Sequence, residues 1–302
     1  MSIRPELLSK KDKVAIVATA RKINLPEIDY AIKLFSLWGL EVLVGKTIGL
    51  ESNQFAGNDI QRAEEIQRFL DDKDIKAIFC ARGGYGSVRI IDKLDFKEFS
   101  KHPKWIIGYS DPTVLLMHIY FNFNIETIHG IMPFNINEAS FQSLATKSLK
   151  ECLFEKTNSR EYPSNSFNSQ GKARGDLIGG NLSILYSLLG SSSFGDTEGK
   201  ILFIEDLDEY LYHIDRIMQA LKRAGKLDKL AGLIVGEFSL MHDNTISFGK
   251  TAYEIISEAV KEYNYPKAFN IPIGHIEEKN IAFVVGRETS LTIDNDKVII
   301  EQ

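Results

Sequence analysis

Ser110 is the residue around which chemistry can be assembled. It lies in Trp105-Ile106-Ile107-Gly108-Tyr109-Ser110-Asp111-Pro112-Thr113-Val114-Leu115-Leu116. An apolar run there stops at a glycine, a serine follows, and a second apolar run begins after a proline. Ile106 and Ile107 close a buried strand and Gly108 permits a tight turn. Pro112 suits the start of a helix, because its missing N–H costs nothing there. A serine at such a strand–turn–helix junction is lifted above the sheet edge. It faces free backbone N–H groups at the positive end of a helix dipole, and both stabilise a developing oxyanion. The pattern is related to the nucleophile elbow G-x-S-x-G, with Pro112 in place of the second glycine. The plainer reading is an N-cap, since Ser and Asp are favoured where a helix begins.

A serine nucleophile needs a base near its hydroxyl and a third group to orient that base. The six histidines are His102, His118, His129, His213, His242 and His275. His118 falls mid-helix behind the elbow, and His213 lies in a polar helical stretch. His129 and His275 each adjoin a glycine at the end of an apolar run, in Thr127-Ile128-His129-Gly130 and Ile271-Pro272-Ile273-Gly274-His275. That placement suits a crevice, although a loop histidine more often has a structural task. The acid is suggested by Ile201-Leu202-Phe203-Ile204-Glu205-Asp206-Leu207-Asp208-Glu209. Alternation along a strand puts Glu205 and Asp206 on opposite faces, so one can point into a crevice. The same acids also read as helix caps or as a glycosidase carboxylate pair. As hard-metal ligands they lack the EF-hand spacing and its glycine.

The turn Arg82-Gly83-Gly84-Tyr85-Gly86-Ser87 resembles an anion-cradling loop. Its glycines allow close backbone approach, and a helix expected over Ser87–Leu94 would offer N–H groups. It matches neither G-x-G-x-x-G nor the G-K-[ST] of a P-loop. An oxyanion hole formed in part by the N–H of Gly83 or Gly84 fits the loop as well as a nucleotide does.

These residues need a scaffold, and the first half of the chain supplies one by alternating strands and helices. Strands are expected over Lys13–Thr19, Leu40–Val44, Lys76–Cys80 and Trp105–Gly108. Helices are expected over Asn24–Trp38, over Asp59–Leu70 with Ile60, Ala63, Ile66 and Leu70 on its apolar face, and from the elbow to about Asn122. Repeated βα units imply a parallel sheet with ligands at the carboxyl ends of its strands. The Arg82–Gly86 turn and Ser110 follow two such ends and can share one crevice. Residues 156–175, rich in Ser and Asn, read as a linker. Beyond it, Gly179-Gly180-Asn181 opens an apolar helix over Leu182–Leu189. Strands are expected at Lys200–Ile204 and Leu230–Val235, and the end is β-rich over Ile281–Val285, Ser290–Ile293 and Lys297–Ile300.

The totals narrow the function classes. A chain of 302 residues suits about two domains. With 36 basic and 41 acidic residues the formal net charge is −5, which argues against nucleic-acid binding through bulk positive charge. Cys80 and Cys152 form neither a disulfide framework nor a C-x-x-C metal pair. The opening residues lack the apolar core of an export signal and no stretch is long enough to span a membrane, so a cytoplasmic protein without a membrane partner is expected.

Six motifs in this order resemble the LD-carboxypeptidase family of serine peptidases, the muramoyltetrapeptide carboxypeptidases, which includes microcin C self-immunity proteins. They are Ala81-Arg82-Gly83-Gly84-Tyr85-Gly86, Gly108-Tyr109-Ser110-Asp111, His129-Gly130, Gly179-Gly180-Asn181-Leu182, Phe203-Ile204-Glu205-Asp206 and Gly274-His275. The resemblance covers nearly the whole chain. It implies a triad of Ser110, Glu205 and His275, an oxyanion hole of the Gly84 and Asp111 N–H groups, and no metal or cofactor. It also implies an α/β fold with a flavodoxin-like N-terminal domain over residues 1–155 and a β-rich C-terminal α/β domain over residues 176–302. The site would lie between them, and the assembly would be a homodimer. The substrate implied is a murein tetrapeptide or similar small peptide, cleaved before a C-terminal D-residue such as D-Ala. Arg82 and Gly83 are candidates to hold its free carboxylate. Two departures fall on the expected pocket rim: Ile131-Met132-Pro133 follows Gly130 where the family has Pro at once, and Ala18-Thr19-Ala20-Arg21 stands where it has Pro-Ser. Competing readings are a hydrolase of aminoacyl-nucleotide conjugates, which needs an aromatic platform for the base, and a non-catalytic binder of cell-wall fragments.

Overall fold

The computed structural model describes residues 2–302. Met1, the first residue of the segment inspected for an export signal, lies outside them. The first half runs β1 (Lys13–Val17), α1 (Asp29–Leu37), β2 (Glu41–Val44), α2 (Asp59–Asp71), β3 (Ile75–Cys80), α3 (Lys97–Lys101), β4 (Trp105–Gly108), α4 (Thr113–Phe123), β5 (Thr127–His129) and α5 (Leu144–Phe154). The second half runs β6 (Ser159–Pro163), β7 (Gly171–Asn181), α6 (Leu182–Ser187), β8 (Ile201–Leu207), α7 (Leu211–Arg223), β9 (Gly232–Ser239), α8 (Ala252–Ala259), β10 (Lys267–Ala268), β11 (Phe283–Val285), β12 (Glu288–Ile293) and β13 (Lys297–Glu301).

Two sheets result. The first has the order β11-β5-β4-β3-β1-β2, with β2, β1, β3, β4 and β5 parallel and β11 antiparallel to β5. Its inner strands are covered on both faces, which is why β1, β3 and β4 read as nearly continuous apolar runs. The second has the order β10-β9-β8-β7-β12-β13-β6. It is parallel from β10 to β7 and antiparallel from β7 to β6. The α/β class with a parallel N-terminal sheet follows the expectation from the sequence.

Helix α4 joins the halves. Val114, Leu115, Leu116, Met117, Ile119 and Tyr120 are all buried, so the helix is apolar around most of its circumference, as an element covered on every side must be. Its first turn receives the end of β7: Asn181 N–H donates to Thr113 Oγ1 at 3.3 Å, and Gly179 N–H points at Met117 S at 3.4 Å. A Cβ on Gly180 would lie 2.6 Å from Thr113 Oγ1. Only glycine lets the second sheet come this close to the helix that starts at the elbow.

Three expectations fail for physical reasons. Residues 156–175 contain β6 and the start of β7 rather than a linker. β6 is an edge strand paired only with β13, with alternating exposed residues, so its polar composition hides it. Ile60 is 62 % exposed, whereas the buried face of α2 carries Arg62 at 0 % and Glu65 beside Ala63, Ile66 and Phe69. Ser87–Leu94 forms two short 3-10 turns, Ser87–Arg89 and Ile91–Lys93, not a helix.

Candidate active site

Ser110 follows β4 directly and has φ of 63°, the left-handed region that a residue with a Cβ enters only under constraint. Both neighbours are buried, and the Ser110 carbonyl accepts the Thr113 N–H at 2.9 Å to start α4. The turn is fixed at both ends, and the serine at its apex faces a pocket of about 240 Å³. Arg21, Arg82, Gly83, Gly84 and His275 line the same pocket. Gly83 packs close to the hydroxyl: a Cβ there would lie 3.2 Å from Ser110 Oγ.

The opposite wall comes from the second sheet. Glu205, wholly buried near the end of β8, places Oε2 2.8 Å from His275 Nδ1. With Nδ1–H donating to the carboxylate, Nε2 is the nitrogen left to accept a proton. Gly274 makes this contact possible. It has φ of 120°, and a Cβ on it would sit 2.8 Å from Glu205 Oε2. Burial pushes the His275 pKa down, but the charge and hydrogen bond of Glu205, aided by Asp206, outweigh it and leave the ring above its ordinary value. Tyr109 packs against the ring with centroids 4.8 Å apart.

Asp206 faces the other way, as strand alternation requires. It accepts from Asn181 Nδ2 and Ser183 N–H, each at 2.9 Å, tying β8 to the start of α6. Burial, with Glu205 adjacent, pushes its pKa up to about 7. The two acids therefore diverge, one to His275 and one to a helix terminus, and do not form a facing pair.

The glycine-rich loop is held by the protein's own anion. Asp111, buried, accepts from Gly86 N–H at 3.0 Å and Ser87 N–H at 2.9 Å. The Gly86 and Ser87 N–H groups, part of the cradle read from sequence for a ligand, are already taken. Arg62 secures the other side by donating to the carbonyls of Gly86 at 3.1 Å and Thr19 at 2.7 Å. Gly83 and Gly84 are thereby fixed against Ser110. The Asp111 side chain thus sets the loop's position from behind.

Arg82 lies at the rim. It donates to the Lys22 carbonyl at 3.3 Å, stands 3.8 Å from Glu27, and stacks on Phe134 with 3.9 Å from guanidinium carbon to ring centre. His129 is not at the crevice. It is fully buried beneath the site, against Phe203 at 5.0 Å and Tyr109 at 5.8 Å between centroids, and burial drives its pKa down to about 4. His118 pairs with Ser193 away from the pocket. The lining also includes Tyr109, Phe134, Asn135 and Leu207, which the sequence reading did not select as site residues. Their signal was position: each follows the carboxyl end of a parallel strand or, for Leu207, closes one. Arg21 and Met132, noted as rim departures, do line the pocket.

Comparison with known proteins places the fold in a family. The profile of the LD-carboxypeptidase N-terminal domain matches residues 14–130, and that of the LD-carboxypeptidase C-terminal domain matches residues 174–291. A probable murein peptide carboxypeptidase of Bacillus subtilis is 33 % identical over 100 % of this chain and 95 % of its own length. A microcin C7 self-immunity protein of Escherichia coli is 26 % identical, with 87 % of this chain and 85 % of its own covered. The crystal structure of muramoyltetrapeptide carboxypeptidase from Oxalobacter formigenes superimposes with a TM-score of 0.87 at 26 % identity, covering 96 % of this chain and 98 % of that one. Both halves of the fold are thus matched in order, and the chain belongs to the LD-carboxypeptidase family.

Proposed function

We propose that the chain is a serine LD-carboxypeptidase that removes a C-terminal D-residue, D-Ala above all, from murein tetrapeptide in the cytoplasm. The observation that carries the reading is the pocket shared by Ser110, strained at the elbow, and His275, whose far nitrogen is bonded to buried Glu205. His275 Nε2 takes the Ser110 proton as Oγ attacks the carbonyl of the L-centre. Glu205 fixes the tautomer and stabilises the imidazolium. The N–H groups of Gly84 and Asp111 hold the oxyanion. The imidazolium then protonates the leaving D-residue's amine, and water, deprotonated by His275, hydrolyses the ester. Arg82 and Gly83 border the space for the departing residue. Murein peptides as substrate are supported by the names of the relatives, and a reducing compartment by the free, buried Cys80 and Cys152.

Mass spectrometry of a murein tetrapeptide incubated with wild type and with Ser110→Ala tests this. Loss of one alanine with wild type alone is expected. Loss with both overturns the nucleophile. Loss with neither overturns the substrate and favours aminoacyl-nucleotide conjugates, for which Phe134, part-exposed at the rim, is the available platform.

A further inference from the structure

Three adjacent strands deliver three side chains to one pocket. β4 leads to Ser110, β3 to Arg82 and β1, through Ala18-Thr19-Ala20, to Arg21. Arg21 lies across the glycine-rich loop: a Cβ on Gly84 would meet its Cβ at 2.9 Å and its Cδ at 3.3 Å. Its backbone is pinned by a bridge to Phe55. Its stem therefore lies against the loop that borders Ser110, and the residue, exposed at the rim, lines the same pocket.

The charges in this cavity do not balance. Two arginines line it, Arg82 half-buried and Arg21 exposed at the mouth, and no Asp or Glu is among its lining residues. Arg82 is partly compensated by Glu27 at 3.8 Å and by the Lys22 carbonyl. Arg21 makes no ion pair among the described residues. Arg82 feels its neighbour: its pKa is lowered first by burial and then by the charge of Arg21. An anion between them relieves both, and planar, forked donors suit a carboxylate in particular.

We propose that Arg21, together with Arg82, receives the C-terminal carboxylate of the substrate and so restricts the enzyme to the last peptide bond. The inference rests on the carboxypeptidase reading above and adds a specificity residue to it. A substrate cleaved before its final residue carries its carboxylate one residue beyond the scissile carbonyl, a span of roughly 3.5 Å. Arg21, whose stem rests on Gly84, lines the pocket that Ser110 faces.

The test compares a peptide ending in an L,D-linked pair as free acid and as C-terminal carboxamide. Wild type is expected to favour the acid. Arg21→Gln is expected to reduce that preference about 10- to 100-fold, mainly through KM, the range for losing one charge-assisted hydrogen bond. Arg21→Lys restores part of it. Equal losses on acid and amide, or no loss on either, overturn the proposal. Calorimetry on Ser110→Ala and on Ser110→Ala/Arg21→Gln, with the same two peptides, separates the two readings. Acid-selective binding that disappears with Arg21 upholds this site even if wild type cleaves neither peptide. Binding indifferent to Arg21 overturns it even if wild type cleaves the acid.

Discussion

Replacing Glu205 by Gln probes the His275 geometry most directly, because it keeps shape and removes charge. The side chain is wholly buried, and Oε2 lies 2.8 Å from His275 Nδ1. At an effective dielectric of about 20 and a charge separation of about 4 Å, the carboxylate stabilises an imidazolium by about 4 kcal/mol. That stabilisation acts only once the ring has taken the serine proton, so its loss falls on kcat, by about 1,000-fold. A carboxamide nitrogen facing Nδ1 would also fix the ring proton on Nε2, where it cannot accept from Ser110. Wrong-tautomer losses in such triads reach about 10,000-fold. The assay is kcat/KM on murein tetrapeptide across pH. In wild type the acid limb lies above the ordinary histidine value of 6.5. In Glu205→Gln it moves below, because burial is then the main remaining influence on the ring. Folding follows the same linkage. A raised histidine pKa contributes stability that is present below the unfolded value and lost as pH rises through the folded one. The wild type's stability advantage from this pair is therefore largest below about pH 6.5 and shrinks above it. A variant with kcat/KM within tenfold of wild type and an unmoved acid limb would refute Glu205 as the partner that sets the base.

Two further substitutions test how the elbow is held. In Gly83→Ala the new Cβ lies 3.1 Å from Ser110 Cβ and 3.2 Å from Oγ, crowding the nucleophile from the pocket side. Steady-state kinetics is expected to show a loss in kcat/KM smaller than the roughly 100-fold that a 1 Å misplacement costs, because the contact demands a shift of only a few tenths of an ångström, with the denaturation midpoint little changed. Asp111→Asn offers one acceptor to two N–H groups, those of Gly86 and Ser87. A buried donor left facing a donor costs about 1–3 kcal/mol, visible in urea unfolding. The loop bearing Gly83 and Gly84 loosens as well, so activity falls with stability. Full activity in Asp111→Asn would show that the loop is held by other means.

What was legible in the sequence was what neighbouring residues encode together. The elbow is a local object: apolar strand, glycine, serine and proline within twelve residues specify both the turn and the helix after it. The divergence of Glu205 and Asp206 followed from strand alternation alone. What was hidden depended on partners distant in the chain. Arg62 is buried on α2 because the carbonyls of Thr19 and Gly86 await it, and no periodicity foretells a buried arginine. Its burial turns the helix so that Ile60 faces solvent. The anchoring of the Gly86 and Ser87 N–H groups likewise depends on Asp111, supplied by a different strand end. β6 was missed because an edge strand carries the polar residues of a loop.

His275, the proposed base, is the least local part of the site, and its placement explains why the halves interlock. His275 belongs to a loop whose Gly274 N–H donates to buried Asn280 at 2.9 Å and whose Ile281 N–H donates to the Pro272 carbonyl at 2.8 Å. From that closed loop the chain enters β11, which leaves the second half to pair with β5 at the edge of the first sheet, Phe283 opposite His129. The loop is thus anchored to the sheet that carries Ser110, while its histidine is bonded to Glu205 of the other sheet. A chain that ended its second half without this excursion would leave His275 fixed to Glu205 alone, and its distance to Ser110 would vary with every relative motion of the sheets. β11 ties the histidine to both, so the separation of Ser110 and His275 is set by hydrogen-bonded backbone on each side.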